Sequence, residues 1–462
     1  MLFHSYLFAV FLTAVLLLHR LAPPAGRRWV LLVASYTFYG SWNARYALLI
    51  LASTVIDYAV AQRIAASDDP RARKRWLIAS LATNLGILAV FKYYNFFIDS
   101  LRVATDWPLP IHTLLLPVGI SFYTFQSMSY TIDVYRGRAS LARGFVDFAL
   151  YVSFFPQLVA GPIVRAVEFL PQLEGRLARP PEKIRLGIKL FLFGLFRKLV
   201  IADNLAVYVD RVHADPGAFT QAELWVCAYA FAFQIYYDFA GYSEMAIGLA
   251  HLFGFTFPDN FRRPYCAVNV SDFWRRWHIT LSTWLRDYLY ISLGGNRAGR
   301  WKTLRNLMIT MVLGGLWHGA NWTFVIWGFL HGSYLIVHRV FQDACRRLPA
   351  LGALAAQAWM LPIWILLTFH AWTLSMVFFR AESLDVATSM LRRMAGLVET
   401  GAPEMAARAM PLVMPNGLTV ASTFALCVGL FLLQLSQKPA ASVATRRPIG
   451  QRSKRTKPSQ RS

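Results

Sequence analysis

Apolar segments recur along this 462-residue chain from residue 2 to residue 435, and several approach the length at which a helix crosses a bilayer. A helix of about 20 apolar residues spans the hydrocarbon core of a membrane. Inside that core every backbone polar group must bond within the protein, which favours helices. The sequence therefore predicts an all-α polytopic membrane protein, with one multi-span domain over residues 1–437 followed by a tail.

The composition agrees, because 56% of the residues are hydrophobic and only 15% are charged. The net charge of +23 comes from Lys and Arg residues in short clusters between the apolar segments. Such clusters are typical of cytoplasmic loops, so membrane topology explains them and no nucleic-acid partner is predicted. The cysteines have no CxxC spacing, which argues against a disulfide framework and a zinc site; they are Cys227, Cys266, Cys345 and Cys427.

The basic clusters also predict the orientation of the chain. The first apolar segment, residues 2–18, ends near Arg20, so we expect a retained span whose C-terminal end is cytoplasmic. Continuing the alternation places the N-terminus outside and the C-terminus in the cytoplasm. The tail, residues 438–462, is basic and contains no acidic residue. We expect it to be disordered, and either functionally silent or in contact with anionic lipid.

Two regions should depart from simple spanning helices. The apolar stretch 29–62 is interrupted by GSWNAR at 40–45, which predicts two short helices. Residues 145–163 lie between two basic loops, so we expect a re-entrant or interfacial segment ending in PQLVAGP at 156–162. No internal repeat is visible, which weakens the alternative of a secondary transporter with repeated halves.

The segment 260–297 mixes charged and aromatic residues. On a helix, spacings of three, four and four place a polar set on one face and aromatic and aliphatic side chains opposite. An interfacial helix whose arginines meet lipid phosphates is one interpretation. That interpretation does not explain an imidazole on the same face as two cations. The cations disfavour its protonation, so the neutral form that can act as a base is favoured. The polar set is Arg275, His278, Ser282 and Arg286, and the opposite set is Phe273, Trp277, Leu281, Trp284 and Tyr288.

A second histidine, His318, lies within the apolar hairpin 303–338 and follows Trp317. A titratable group at such depth needs a partner, a water-filled cavity or a catalytic role, so His318 is a candidate general base. A hydrogen-bonded packing histidine is the alternative. The neighbouring glycines should allow close approach of backbone or substrate; they are Gly314, Gly315 and Gly319. His331 and His338 raise the possibility of a metal site, but no carboxylate or cysteine is suitably spaced, and none is predicted.

Five segments together resemble the membrane-bound O-acyltransferase family, and within it the bacterial branch that acetylates alginate and related exopolysaccharides. The resemblance implies a ring of about ten or more tilted and re-entrant helices around a central funnel or tunnel, in the inner membrane of a bacterium. It makes His318 the principal active-site histidine and His278 the second. The segments are FWRRWHITLSTWLRDYLYISLGGNR (273–297), GGLWHGANW (314–322), YYDFAGYSEMAIGLAHLFGF (236–255), PVGISFYTFQSMSYTIDVYRG (117–137) and FFPQLVAGPIVR (154–165).

The resemblance also implies a reaction. The donor would be a cytoplasmic acetyl thioester such as acetyl-CoA, used as a substrate and not held as a cofactor. His318 would deprotonate an acceptor hydroxyl, and His278 would orient or polarise the donor carbonyl. The acceptor side would involve a periplasmic acetyltransferase partner and the polysaccharide synthesis and export machinery. Further substrate or tunnel candidates are Arg275, Trp277, Ser282, Trp317 and Asn321.

Three other functions remain open from the residues alone. D-alanyl transfer to teichoic acid, within the same family, uses the same histidines. A proton-coupled transporter could use the histidines as a proton relay. A scaffold without chemistry would need neither histidine.

Overall fold

The structure is a computed structural model that describes residues 1–112, 114–176, 182–297, 299–398 and 420–436. Within those ranges the chain forms helices and no strand, which confirms the all-α prediction. In chain order the helices are α1 (Tyr6–Leu21), α2 (Pro24–Gly40), α3 (Ala44–Ala66), α4 (Pro70–Leu88), α5 (Tyr94–Thr105), α6 (Ile120–Tyr135), α7 (Phe145–Ser153), α8 (Phe155–Leu158), α9 (Ala166–Arg176), α10 (Ile184–Phe196), α11 (Asp203–Ala214), α12 (Gln221–Leu252), α13 (Val270–Arg276), α14 (Ile279–Trp284), α15 (Arg300–His318), α16 (Trp322–Arg347), α17 (Pro349–Ala355), α18 (Met360–Arg380), α19 (Leu384–Met394) and α20 (Val420–Ser436).

Four helical segments among the described residues are long and apolar enough to cross a membrane, and α1 is a shorter apolar helix. One of the four, Pro70–Thr105, joins α4 to α5 through the π-helical turn Ala89–Tyr93. Two more π-helical turns, Arg197–Ala202 and Leu285–Tyr290, follow α10 and α14. Such turns add a residue to the helical repeat and redirect side chains. The long helices α3, α16 and α18 supply the other three candidate spans.

The predicted break within 29–62 is confirmed, but the helices on either side are not short: α2 has 17 residues, and α3 has 23 and is one of the candidate spans. Helix α2 ends at Gly40, and α3 begins after Asn43, whose side chain accepts a hydrogen bond from the Arg45 amide at 3.0 Å. Helix α7 has only 9 residues, about 13 Å of rise, which cannot cross a hydrocarbon core of about 30 Å. Its side chains from Asp147 to Ser153 are buried in the protein, as expected of a re-entrant segment. The predicted tail, 438–462, lies outside the described residues.

Helices α3, α4 and α6 meet around a buried carboxylate, Asp57. Ser80 Oγ donates to one of its oxygens at 2.6 Å, and Asn84 Nδ2 lies 2.9 Å from both. Ser80 Oγ is also 3.1 Å from Thr131 Oγ1 on α6. Buried polar groups stabilise a fold when their hydrogen bonds are satisfied. This cluster therefore joins three helices and fixes α6.

Glycines bring α10 and α12 into direct backbone contact. A Cβ atom on Gly241 would lie 2.7 Å from the carbonyl oxygen of Gly194, and one on Gly248 would lie 2.6 Å from that of Gly187. The glycines of each helix are seven residues apart and so share a face. Small residues at an interface let membrane helices approach closely and gain van der Waals contact. The 32-residue helix α12 is held in place by these contacts.

We predict that Gly248→Ala destabilises the protein, whereas Gly86→Ala does not. Both changes place alanine in a helix, which favours the helix by up to about 1 kcal/mol. The Gly86 position is open, with no atom within 4 Å of an added Cβ, but the Gly248 position is filled by backbone of α10. Overpacking of this kind costs about 1–3 kcal/mol. Thermal unfolding of the detergent-solubilised variants measures the difference, and equal midpoints would contradict the packing role.

Candidate active site

The predicted continuous helix through 275–286 is wrong, because the chain turns at His278. Helix α13 ends at Arg276, and His278 adopts a left-handed conformation, with φ 41° and ψ 55°, before α14 begins. The turn separates residues that would share a face on one helix. His278 is 1% exposed, whereas the side chain of Arg275 is 67% exposed. The expected apolar set is buried: Phe273, Trp277, Leu281, Trp284 and Tyr288.

Asn260 holds this turn. Its backbone carbonyl accepts from the Ile279 amide at 2.9 Å, which fixes the chain just after the left-handed residue. Its side-chain oxygen accepts from Thr280 Oγ1 at 3.0 Å, and the Thr280 amide lies 3.4 Å away. Its Nδ2 donates to Ser243 Oγ on α12 at 3.1 Å. Left-handed backbone is unfavourable for residues other than glycine, so these bonds stabilise a conformation the chain would otherwise avoid.

The same asparagine sets the tautomer of His278. The His278 Nδ1 atom lies 3.0 Å from Asn260 Oδ1. Because the Thr280 donors identify that atom as the acceptor oxygen, Nδ1 carries the proton and donates. In the neutral ring, Nε2 then presents a lone pair. This Nε2 is buried and has no hydrogen-bond partner among the described residues. His278 is thus a hydrogen-bond acceptor at its free nitrogen.

His318 is the last residue of α15 and makes no hydrogen bond through its ring within the described part of the chain. Three aromatic rings enclose it edge to face, with centroid distances of 4.9 Å to Trp317, 5.1 Å to Trp327 and 5.2 Å to Phe379. This packing fixes the imidazole plane without occupying its nitrogens. The ring is therefore held in place and available to a ligand.

Glycines present His318 by drawing α15 against α16. A Cβ on Gly315 would overlap the carbonyl oxygen of Phe324 and lie 3.0 Å from the Gly328 Cα, and one on Gly319 would overlap the Phe324 ring. The expectation of close backbone approach is confirmed at Gly315. At Gly314 the neighbour is a side chain, that of Leu285 at 3.2 Å.

Both histidines line one cavity of about 380 Å³, within the size range of small-molecule sites. Most of its wall is aromatic or aliphatic, and its remaining polar side chains are those of Lys92 and Ser121. The start of α6 and the segment before it form one side. The lining is Lys92, Leu116, Pro117, Val118, Gly119, Ile120, Ser121, Phe122, Ala160, Ile235, Phe239, Trp277, His278, Trp317, His318, Trp327, Trp372 and Phe379.

Of the other residues predicted to contact substrate, some line the cavity and others do not. Trp277 and Trp317 line the cavity, but three candidates lie outside its wall. Arg275 is paired with an aspartate at 3.5 Å, and Ser282 Oγ donates to the Trp277 carbonyl at 3.1 Å. Asn321 caps α16 by accepting from the Thr323 amide at 2.9 Å. These three side chains bond to protein groups.

His331 and His338 do not share a site. His331 is buried behind Trp327, outside the cavity wall, with Nε2 3.0 Å from Ser375 Oγ. His338 borders a separate cavity of about 480 Å³. Among the residues the structure describes, no three His, Cys, Asp or Glu side chains are grouped to hold a metal ion.

The sequence analysis missed two residues at the site, Asn260 and Lys92. Asn260 precedes His278 by 18 positions and follows no periodicity that links the two. Lys92 could have been found, because it is a lone cation inside an apolar span. Charge is costly in lipid, so such a residue is a candidate for a functional role.

We predict that Asn260→Ala lowers activity by roughly 10- to 100-fold, the loss typical when a functional histidine loses the partner that orients it. Ser243→Ala is the matched control, because it removes a bond to Asn260 but leaves the His278 bond intact. It should have a much smaller effect. Product formation per unit of folded membrane protein is the measurement. Equal losses in both variants would show that Asn260 acts only through general stability.

Comparison with known proteins identifies the family of the chain. The membrane-bound O-acyltransferase family matches residues 142–379, a range that contains both histidines. The protein named "Probable alginate O-acetylase AlgI" of Pseudomonas aeruginosa is 44% identical over 400 residues, covering 85% of this chain and 75% of that protein. The peptidoglycan O-acetyltransferase of Helicobacter pylori is 39% identical, covering 79% of this chain and 73% of the relative.

A more distant relative is the teichoic acid D-alanyltransferase of Streptococcus thermophilus, at 27% identity over 58% of this chain and 69% of that protein. All three relatives are named for transfer of an acyl group. The chain therefore belongs to the membrane-bound O-acyltransferase family and is an acyltransferase of the membrane.

Proposed function

We propose that this protein moves acetyl groups from a cytoplasmic acetyl thioester, acetyl-CoA, across the membrane for O-acetylation of alginate or a related exopolysaccharide. The observation that carries the proposal is a single cavity lined by two imidazoles from separate parts of the chain, those of His278 and His318. The relatives named for O-acetylation are 39–44% identical, and the D-alanyltransferase is 27% identical, which favours acetyl over D-alanyl transfer.

In the proposed reaction His318 is the general base. It takes the proton of the acceptor hydroxyl while the hydroxyl oxygen forms a bond to the thioester carbonyl carbon. The carbonyl electron pair moves to oxygen and gives a tetrahedral oxyanion. When the carbonyl re-forms, the carbon–sulfur bond breaks and the thiolate leaves, taking the proton from His318. No covalent enzyme intermediate is needed.

The hydrogen-bond pattern refines the role of His278. Polarising the donor carbonyl requires an N–H aimed at its oxygen, but the Asn260 bond places the His278 proton on Nδ1. The free Nε2 is an acceptor. We infer that His278 orients the acceptor by accepting a hydrogen bond from a second donor group of that molecule, because the reacting hydroxyl has one proton and His318 takes it. Another group then faces the carbonyl oxygen.

The proposed setting is a bacterial inner membrane, with a periplasmic acetyltransferase partner that receives the acetyl group and passes it to polymer at the synthesis and export machinery. The donor is a substrate, and no resident cofactor is required. The basic clusters that follow the apolar segments support the orientation in this proposal, because they favour a cytoplasmic C-terminus.

We predict that His318→Ala abolishes polymer acetylation and that His278→Ala lowers it severely, with both proteins at normal membrane level. Loss of a general base removes roughly 10²- to 10⁴-fold in rate. His331→Ala is the control, because His331 is buried but outside the cavity wall. Its effect should be milder. Acetyl content of the polymer and immunoblots of membranes are the measurements, and an active His318→Ala protein would overturn the mechanism.

We also predict that a fluorescent protein fused at the C-terminus is fluorescent, and that alkaline phosphatase inserted after Asp106 is active. The first reporter needs the cytoplasm and the second needs the periplasm. The segment containing Asp106 follows α5 at the end of the span that should lead outward. A C-terminal phosphatase fusion that is active outside the cytoplasm would refute this topology.

A further inference from the structure

Lys92 brings a positive charge to the cavity that contains the histidines. It lies in the π-helical turn Ala89–Tyr93, where the changed helical repeat directs its side chain to the cavity. Its Nζ is 3.1 Å from Ser121 Oγ and also donates to the carbonyl oxygen of Trp317. The ammonium thus lies beside the residue that precedes His318.

This charge has no counter-ion among the described residues. The cavity wall contains no aspartate or glutamate, and no described carboxylate forms an ion pair with Lys92. By contrast, Lys198 pairs with Asp203 at 2.8 Å and Asp238 at 2.5 Å. A cation removed from water without a carboxylate partner is unfavourable, and inside a membrane protein it commonly marks a functional site.

The ammonium also has an unused donor. A lysine side chain carries three N–H groups, and the contacts to Ser121 and to the Trp317 carbonyl account for two. Three of the four tryptophans in the wall have no donor exposed to the cavity. The indole N–H groups of the tryptophans Trp317, Trp327 and Trp372 are covered by protein atoms, and the free nitrogen of His278 is an acceptor.

We propose that Lys92 binds the carbonyl oxygen of the acetyl thioester and stabilises the tetrahedral oxyanion, an inference that rests on the proposed function. The carbonyl electron pair moves to oxygen beside the ammonium, which keeps its proton throughout. When the thiolate leaves, the pair returns to the carbonyl. The unpaired charge of Lys92 therefore gains its strongest partner only when negative charge develops, so the interaction lowers the barrier instead of tightening donor binding.

Two other roles for Lys92 make different predictions. The lysine could serve only to hold the end of α15 through the Trp317 carbonyl, a task for which a neutral hydrogen-bond donor would suffice. Alternatively, it could bind a carboxylate of an anionic acceptor, in which case its loss would weaken acceptor binding and spare uncharged acceptors.

The test uses the full-length protein in nanodiscs, with acetyl-CoA as donor and thiol release as the readout. A neutral and a uronate oligosaccharide serve as surrogate acceptors, supplying the hydroxyl in place of the proposed periplasmic partner. We expect Lys92→Gln to lower kcat by roughly 10²- to 10³-fold, the loss typical of one oxyanion donor, with little change in KM for acetyl-CoA and with both acceptors affected. Lys92→Arg should recover part of kcat because it keeps the charge. Lys189→Gln, at an exposed lysine on α10, is the control and should behave as the parent.

Each contrary result points to one alternative. A fully active Lys92→Gln protein would leave only the structural role, and a loss confined to KM, or to the uronate acceptor, would indicate ground-state binding. Either result overturns the inference. His318→Ala in the same assay separates this inference from the proposed function: an active His318→Ala protein refutes the mechanism, whereas an inactive one beside an active Lys92→Gln refutes only the role of Lys92. Size-exclusion profiles confirm that each variant is folded.

Discussion

Close contact between helix backbones at glycine is the constraint on which both halves of the site depend. Lipid is as apolar as the helix surfaces, so helices associate through packing and hydrogen bonds, and small residues permit the closest packing. Glycines hold α12 against α10, and the Phe239 ring of α12 packs edge to face on His278, with ring centroids 4.6 Å apart. Glycines also hold α15 against α16, and α15 ends at His318. A side chain at these positions would displace one histidine relative to the other.

Within that frame, the two histidines are held by different means. His278 is fixed by hydrogen bonds in a strained backbone conformation, and its tautomer follows from the asparagine. His318 is fixed by aromatic packing that leaves its nitrogens free. The cavity therefore combines two proton acceptors with Lys92, a cation that has no ion-pair partner among the described residues. Such a division suits a reaction that removes a proton at one place and builds negative charge at another.

The family relationship and the geometry limit the function in different ways. Membership of the membrane-bound O-acyltransferase family excludes a scaffold without chemistry. It also explains the two histidines without a proton-coupled transport function. The geometry shows which side chains face the cavity, and it moves Arg275, Ser282 and Asn321 out of its wall. The exposed, ion-paired Arg275 and the helix cap Asn321 resemble substrate contacts in sequence only because they lie beside the site histidines.

Much of the fold follows from the sequence because lipid imposes a simple rule. Apolar runs must be helical, so the break at Asn43, the short segment after residue 145 and the all-α class were predictable from run length and charge. The two histidines were also recognisable, since imidazoles are uncommon in such surroundings. The seven-residue glycine spacing on α10 and α12 was visible in the sequence, but its partner helix was not.

Only the tertiary structure decided how the site is assembled. Helical periodicity assumes a continuous helix, and it fails at His278 because bonds from Asn260 stabilise a left-handed residue there. The contact between Lys92 and the Trp317 carbonyl joins positions 225 residues apart. Local pattern determines which segments become helices and which residues are unusual. Which of those residues meet depends on packing between distant segments, and that packing sets the tautomer, the cavity and the position of its charge.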